Sequence, residues 1–117
     1  MKNQNSPGII MTNIETVPGK KIVGLYGMVS GSTVRAKHAG QDFVAGLKNV
    51  FGGEIKNYTE LMEESRREAT SRMVQQALQL GANAIINVRY ATSAITAGAA
   101  EVYAYGTAVK VENISNE

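Results

Sequence analysis

The longest periodic pattern of apolar positions lies between Asn57 and Gly81. At about 100° per residue, one face collects apolar and small side chains, namely Tyr58, Leu61, Met62, Ser65, Ala69, Met73, Ala77 and Leu80. Asn57 and Glu60 have the spacing of a capping box, and Gly81 suits the left-handed position that ends a helix. The pattern therefore predicts a long helix over residues 57–81, with small side chains at its centre that allow close packing.

Four shorter stretches have the two-residue periodicity of β-strands, at residues 9–15, 20–32, 84–91 and 101–112. Val17-Pro18-Gly19-Lys20 predicts a type II turn between the first two, because proline takes its second position and glycine its third. An amphipathic spacing over residues 41–51 predicts a second, short helix. The small residues of 92–100 are predicted to form a connection before the last strand.

This order of elements predicts an α+β fold, a two-layer β-α-β-β subunit with one long and one short helix. The last two strands would form a hairpin, and the long first strand would lie beside the final one. The result is a three-stranded antiparallel sheet in the order 1-3-2, with a short N-terminal strand in addition. Residues 9–112 form a single domain in this prediction, with 1–8 and 113–117 as flexible tails.

Apolar side chains lie on both faces of the predicted strands, although one helical layer covers only one face. Tyr103, Tyr105, Val109 and Val111 would then form an exposed patch of a size that soluble monomers rarely keep. Val74 and Leu78 lie off the main helical stripe, either as a second contact surface or as ordinary exposed aliphatics. We therefore predict a ring-forming homo-oligomer, with Val74, Leu78, Tyr103 and Tyr105 at the subunit interface.

Composition narrows the partners and the compartment. A formal net charge of +2 gives no reason to expect a nucleic-acid or membrane partner. The chain has no cysteine, which excludes disulfides and thiolate chemistry. Its start lacks an apolar signal region, and no uncharged run is long enough to cross a bilayer, so we expect a cytoplasmic protein.

Candidate chemistry centres on a short polar stretch. Arg35, Lys37 and His38 form the densest cationic patch, which could bind an anion if a ring brings several copies together. His38 and Asp42 stand four apart and could contribute to a metal site, although zinc usually needs three or four protein ligands. His38 is also the only possible base of a catalytic triad, and nothing marks a serine as its partner. We therefore expect no enzyme activity and no cofactor.

Several motifs resemble one known family. They are Asp42-Phe-Val-Ala-Gly-Leu-Lys48, Gly52-Gly-Glu-Ile55, Tyr58-Thr-Glu-Leu61, Arg72-Met73, Leu80-Gly-Ala-Asn-Ala84, Gly98-Ala-Ala-Glu101 and Ala104-Tyr-Gly-Thr-Ala108. In this order they resemble the YbjQ family of bacterial and archaeal proteins, over nearly the whole chain. The resemblance implies a dodecin-like subunit assembled as a homopentamer, with a heavy-metal-binding label and no established catalytic residues.

Two functions follow as hypotheses. The first is a non-enzymatic homo-oligomer, pentameric if the resemblance holds, that binds a small ligand or anion between subunits. The second is a heavy-metal-binding protein that uses His38 together with carboxylates of neighbouring subunits.

Overall fold

The computed structural model describes residues 8–35, 53–96 and 99–115. Within them lie four strands and one helix, which we label β1 (Ile10–Met11), β2 (Lys20–Arg35), α1 (Gly53–Leu80), β3 (Ala84–Thr96) and β4 (Ala99–Asn113). The α+β class predicted from the sequence is confirmed. The predicted short helix over residues 41–51 lies outside the described residues.

The strands form one mixed sheet in the order β1-β3-β4-β2. β4 pairs antiparallel with β2 on one side and with β3 on the other, as predicted for the three long strands. The predicted three-strand count is wrong, because β1 adds a fourth strand beside β3 in parallel orientation. Two residues are enough for this strand, since Ile10 and Thr12 donate backbone hydrogen bonds to the carbonyls of Asn83 and Ile85.

The turns that connect the strands follow local sequence only in part. Lys20 donates a backbone hydrogen bond to the Val17 carbonyl, and Gly19 has a φ of 83°, so the predicted type II turn is confirmed. The predicted long connection over residues 92–100 is wrong, because Thr96 and Ala99 already pair across the hairpin. Small and β-branched residues there extend both strands instead of ending them.

Helix α1 packs through a row of buried side chains, most of them small. Ser65, Ala69, Met73 and Ala77 are fully buried, as the periodic pattern predicts. They meet small residues of the sheet, above all Gly31, where an added Cβ would lie 2.4 Å from the Ala69 carbonyl oxygen. The helix therefore lies almost directly on the backbone of β2.

The two ends of α1 differ from the prediction. The helix begins at Gly53, so Asn57 lies inside it and is not its N-cap. At the other end Val74 is only 1% exposed and belongs to the main core, whereas Leu80 is exposed. The proposed free surface at Val74 is therefore wrong, while Leu78, 39% exposed, remains accessible.

The cause of this error is a drift of the buried face. Residues four apart advance about 40° beyond a full turn at each step, so the row from Ser65 to Ala77 moves about 120° around the helix. Val74 lies about 60° from Ala77 in the direction of this drift, so it is buried. Leu80 lies about 60° from Ala77 in the opposite direction, so it is exposed. The buried face follows the twist of the sheet beneath it, which a single straight stripe does not describe.

Side chains of α1 also close part of the free edge of β2. The Ser30 amide donates to the Gln76 side-chain oxygen at 2.8 Å, and the Arg72 guanidinium donates to the Ser32 carbonyl at 2.6 Å. Arg72 is held in turn by Glu68, one turn earlier in the helix, at 2.8 Å. An edge strand with unpaired backbone groups invites pairing with another chain, and these contacts occupy two such groups.

We expect the Gln76→Ala variant to lose about 1 kcal/mol of stability, since the Ser30 amide loses its acceptor. It should also aggregate faster near the unfolding midpoint, because the edge of β2 becomes available for pairing. Urea denaturation and light scattering during heating would measure the two effects. Gln75→Ala is the matched control, since Gln75 is an exposed neighbour on the same helix, and equal behaviour of the two variants would contradict the edge contact.

Candidate functional site

The sheet has one face toward α1 and one face away from it, which we call the open face. On β4 the residues Val102, Ala104 and Ala108 belong to the core under the helix. Side chains alternate along a strand, so Tyr103, Tyr105 and Thr107 point to the open face. Residues paired directly across strands share a face, which places the following side chains there too: Leu25, Met28, Ser30, Ser32, Val34, Arg89 and Ala91.

The N-terminal segment covers one end of the open face. Val17 and Ile10 pack there against a second small core formed by Ala84, Ile86, Val109 and Val111. Val109 and Val111 are 1% and 4% exposed. The prediction that these two valines stay in an exposed patch is therefore wrong, because residues before β2 bury them within the same chain.

A bulge in β3 interrupts the open face next to this covered end. The pairing of β3 with β4 shifts between Ile86 and Arg89, and Asn87 has a φ of 55°. Asparagine is among the few residues that adopt this left-handed conformation at small cost. The amides of Asn87 and Val88 donate to the carbonyls of Ile14 and Thr12, so the N-terminal segment fixes the bulge. Such bulges often redirect a side chain at a functional site.

A groove of about 320 Å³ opens beside the bulge on the open face. Its lining combines polar, aromatic and apolar groups from three strands: Met28, Asn87, Arg89, Tyr105, Gly106 and Thr107. This volume is at the lower end of the range for small-molecule pockets. The groove therefore has room for a small molecule.

Arg89 supplies the only formal charge among the lining residues. Its Nη1 atom donates to the Asn13 carbonyl at 2.9 Å and to the Val88 carbonyl at 3.2 Å. In the described part of the chain no carboxylate lies within 4 Å of the guanidinium. The side chain is thus held in position by backbone oxygens while its positive charge stays unneutralised.

Two tyrosines extend the groove along β4. The rings of Tyr103 and Tyr105 have centroids 5.4 Å apart and planes inclined by 32°. Tyr105 lines the groove, and Tyr103, 39% exposed, continues the surface beyond it. Both stand on the open face, and their role at a subunit interface stays a prediction.

The other residues singled out from the sequence are not brought into this groove by the described structure. Arg35 is the last residue of β2, and Lys37, His38 and Asp42 lie outside the described residues. Met28, Asn87, Arg89 and Thr107 were not predicted from the sequence. One signal was available: Asn87 and Arg89 are polar interruptions in the mainly apolar first half of β3, residues 84–91, and the bulge places them beside one groove.

The donor set available for a metal is small. Among residues 8–35, 53–96 and 99–115 no three histidine, cysteine, aspartate or glutamate side chains lie close enough to hold an ion. Heavy-metal cations bind to thiolate, thioether, imidazole or carboxylate ligands. A site of thiolate, imidazole and carboxylate ligands would therefore need side chains from outside the described residues or from another chain. The combination of His38 with carboxylates from neighbouring subunits stays a hypothesis.

No helix within the described ranges has both the length and the apolar character that a membrane span requires.

The fold and the groove define a small α+β protein, with a helix on one face of a mixed four-stranded sheet and a polar groove on the other. The chain belongs to the YbjQ family, because the family model described as "Putative heavy-metal-binding" matches residues 9–112. The resemblance found in the sequence motifs is thus confirmed. The family description names a ligand class and no reaction.

Relatives span nearly the whole chain. A UPF0145 protein of Hahella chejuensis is 61% identical over 104 residues, which cover 89% of this chain and 100% of the relative. A UPF0145 protein of Archaeoglobus fulgidus is 54% identical over 103 residues, or 88% of this chain and 95% of the relative. Neither name states an activity or a ligand.

A solved structure supports the fold. It is a crystal structure of a protein of unknown function from Pediococcus pentosaceus that belongs to the DUF74 family. The TM-score is 0.57 at 17% identity, with 90% of this chain and 99% of that chain covered. At this identity the likeness concerns the fold alone.

Proposed function

We propose that this chain is a cytoplasmic, non-enzymatic homo-oligomeric protein whose copies cover each other's open face and hold a small ligand or anion between them. A pentamer is the form that the family resemblance implies, and a closed ring is a usual arrangement for identical subunits. Assembly is the main physical property in this proposal, and the groove on the open face supplies the ligand site.

A single observation carries the proposal: Leu25 and Met28 are 73% and 77% exposed on the open face. They lie opposite Val109 and Thr107 of β4, so they continue the apolar surface beyond the part that the N-terminal segment covers. No charged residue occurs between Lys21 and Arg35, so this stretch lacks the charges that keep exposed strands apart. Such a surface favours burial against another protein surface.

The dimensions of the chain support a partner of the same kind. Its radius of gyration is 17.4 Å, with extents of 62 × 25 × 20 Å, whereas a compact domain of 100 residues has about 13 Å. β2 and β4 have 16 and 15 residues, so the open face extends well beyond the end that the N-terminal segment covers. A second copy offers the same apolar side chains in return, which is how identical subunits usually associate.

We expect the wild-type chain to form an oligomer at micromolar concentration, and Leu25→Glu or Met28→Glu to weaken it by about a hundredfold or more in dissociation constant. The reason is that a carboxylate without a partner would enter an apolar contact. Sedimentation velocity at several concentrations measures the mass. Ile114→Glu is the matched control, since Ile114 is 53% exposed beyond the end of β4.

A wild-type monomer would contradict the proposal, and so would an unchanged mass in both open-face variants. If other residues of the same chain cover Leu25 and Met28, the variants would lower the unfolding temperature while the wild type stays monomeric. That result would assign the open face to the chain's own core.

The competing function is heavy-metal binding, and the family description is the observation that favours it. It would use His38 with carboxylates from neighbouring subunits, as the sequence analysis proposes. Equilibrium titration with Zn²⁺ tests it directly. Tight binding that disappears in His38→Ala would support this function over the first.

A further inference from the structure

The residues that line the groove carry a net positive charge. Arg89 contributes a positive charge, and the other lining residues are neutral: Met28, Asn87, Tyr105, Gly106 and Thr107. We propose that the groove is a binding site for a small oxyanion, which the Arg89 guanidinium holds. This inference names the ligand class of the proposed function and rests on it for the location between subunits.

Arg89 is oriented before any ligand arrives. Its two hydrogen bonds to the carbonyls of Asn13 and Val88 both use Nη1. The Nε and Nη2 donors have no partner among the described residues. A guanidinium with one side anchored and the other free can donate two parallel hydrogen bonds to an oxyanion, which is the strong bidentate arrangement.

Further donors lie on the same lining. The Thr107 hydroxyl, the Asn87 amide and the Tyr105 hydroxyl can each donate one hydrogen bond or more. Carboxylate, imidazole and thiolate groups are absent from these six residues, so the lining has no anionic side chain to offset the charge of Arg89. The set matches an anion that accepts several hydrogen bonds at once.

The backbone conformation of the bulge brings the side chains of Asn87 and Arg89 to the groove. The left-handed φ of Asn87 and the shift in pairing before Arg89 place both side chains at the rim. Residues held in sparsely populated conformations cost free energy and cluster at binding sites. The contacts of the N-terminal segment with this bulge offset that cost.

The same lining suggests in which chemical form a heavy metal, the ligand class of the family description, could bind. A divalent metal cation in the groove would be repelled by Arg89 and would find no thiolate, imidazole or carboxylate ligand there, only the thioether of Met28. A metal carried as an oxyanion, such as molybdate, instead has the charge and the acceptor oxygens that Arg89 requires. Phosphate has the same shape and charge type, so the two anions are alternative sources of one chemistry.

The test is calorimetric titration of the full chain with phosphate, molybdate and Zn²⁺ separately, at matched ionic strength because salt screens exposed charges. We expect wild type to bind at least one oxyanion, and Arg89→Gln to bind it at least about tenfold more weakly, since a charge-assisted contact is lost. Lys110→Gln removes the same charge from an exposed lysine on the other face of β4, and it should bind like wild type.

A second variant separates a loss of binding from a loss of stability. Arg89→Gln also removes the contact to Asn13, which could lower stability. Thr107→Val keeps every Arg89 contact and removes one hydroxyl from the lining, so we expect about a fivefold loss in affinity. The rise in unfolding temperature on adding the oxyanion provides a further readout, because it reports binding at any starting stability.

Two results would overturn the oxyanion site. One is the absence of binding to wild type by either oxyanion up to roughly 10 mM, above the ~1 mM scale of a weak complex. The other is equal affinity in wild type and Arg89→Gln. Sedimentation of the same samples separates this failure from that of the proposed function. An intact oligomer without oxyanion binding removes only the site, and a monomer that binds the oxyanion removes only the assembly.

Discussion

Replacing Gly31 with alanine should lower the free energy of unfolding by about 3 kcal/mol or more, at the upper end of overpacking effects. The added Cβ would lie 2.4 Å from the Ala69 carbonyl oxygen, 2.5 Å from the Met73 amide nitrogen and 2.8 Å from the Arg72 Cβ. The first two are backbone atoms, so no change of side-chain rotamer relieves the contact. Helix α1 would have to move away from β2.

The direction of this effect is opposite to the usual one. At a position with an ordinary φ, alanine in place of glycine stabilises a protein by about 0.4–1 kcal/mol, because it restricts the unfolded chain. Gly19→Ala is the useful comparison, since Gly19 has a φ of 83° and nothing within 4 Å of an added Cβ. For Gly19→Ala we expect the free energy of unfolding to fall by about 1 kcal/mol, because alanine would have to adopt the left-handed conformation.

Urea denaturation followed by circular dichroism measures both variants. Protein concentration must be the same throughout, because the stability of an oligomer depends on it. A Gly31→Ala midpoint equal to or above that of wild type would show that α1 does not lie on the β2 backbone at this point.

Local patterns predicted the long helix and the pairing of the three long strands. The helix depends on a repeat within a few turns, such as the row Ser65, Ala69 and Met73 on α1. The alternation of β4 likewise separated the small residues under the helix from Tyr103 and Tyr105. Both follow from side-chain periodicity, whereas the pairing of the three long strands followed from the order of the elements along the chain.

The missed features depend on residues far apart in the chain. β1 has only two residues, and its place is decided by hydrogen bonds from Ile10 and Thr12 to Asn83 and Ile85. The burial of Val109 and Val111 depends on Val17 in the same way. The sequence predicted a short strand over residues 9–15, but a strand this short has no repeat that shows which strand it pairs with.

The groove could be predicted only in part. Asn87 and Arg89 are recognisable as polar residues in the mainly apolar stretch 84–91, but their proximity to Met28 and Thr107 requires the pairing of three strands and a bulge. The bulge in turn depends on the carbonyls of Thr12 and Ile14, about 75 residues away in sequence. The anion hypothesis drawn from the sequence therefore rested on Arg35, Lys37 and His38 instead, which lie close together in the chain.

The second large effect concerns the end of α1. We expect Val74→Glu to abolish stable folding or to cost more than about 4 kcal/mol, because an unpaired carboxylate would enter the main core. Val74 is 1% exposed, whereas Leu78, one turn later, is 39% exposed. Leu78→Glu should therefore change the free energy of unfolding by less than about 1 kcal/mol.

The two positions also separate core packing from subunit contact. If Val74→Glu does not fold, Val74→Ala still gives a measurable result. We expect it to lose about 2 kcal/mol through the cavity that it leaves, with the oligomer mass unchanged. Leu78→Glu should keep its unfolding midpoint, and a lower oligomer mass would place Leu78 at the interface. A Val74→Ala variant with wild-type stability and reduced mass would instead place Val74 on a surface between subunits, since a residue in the main core cannot lose its methyl groups without cost.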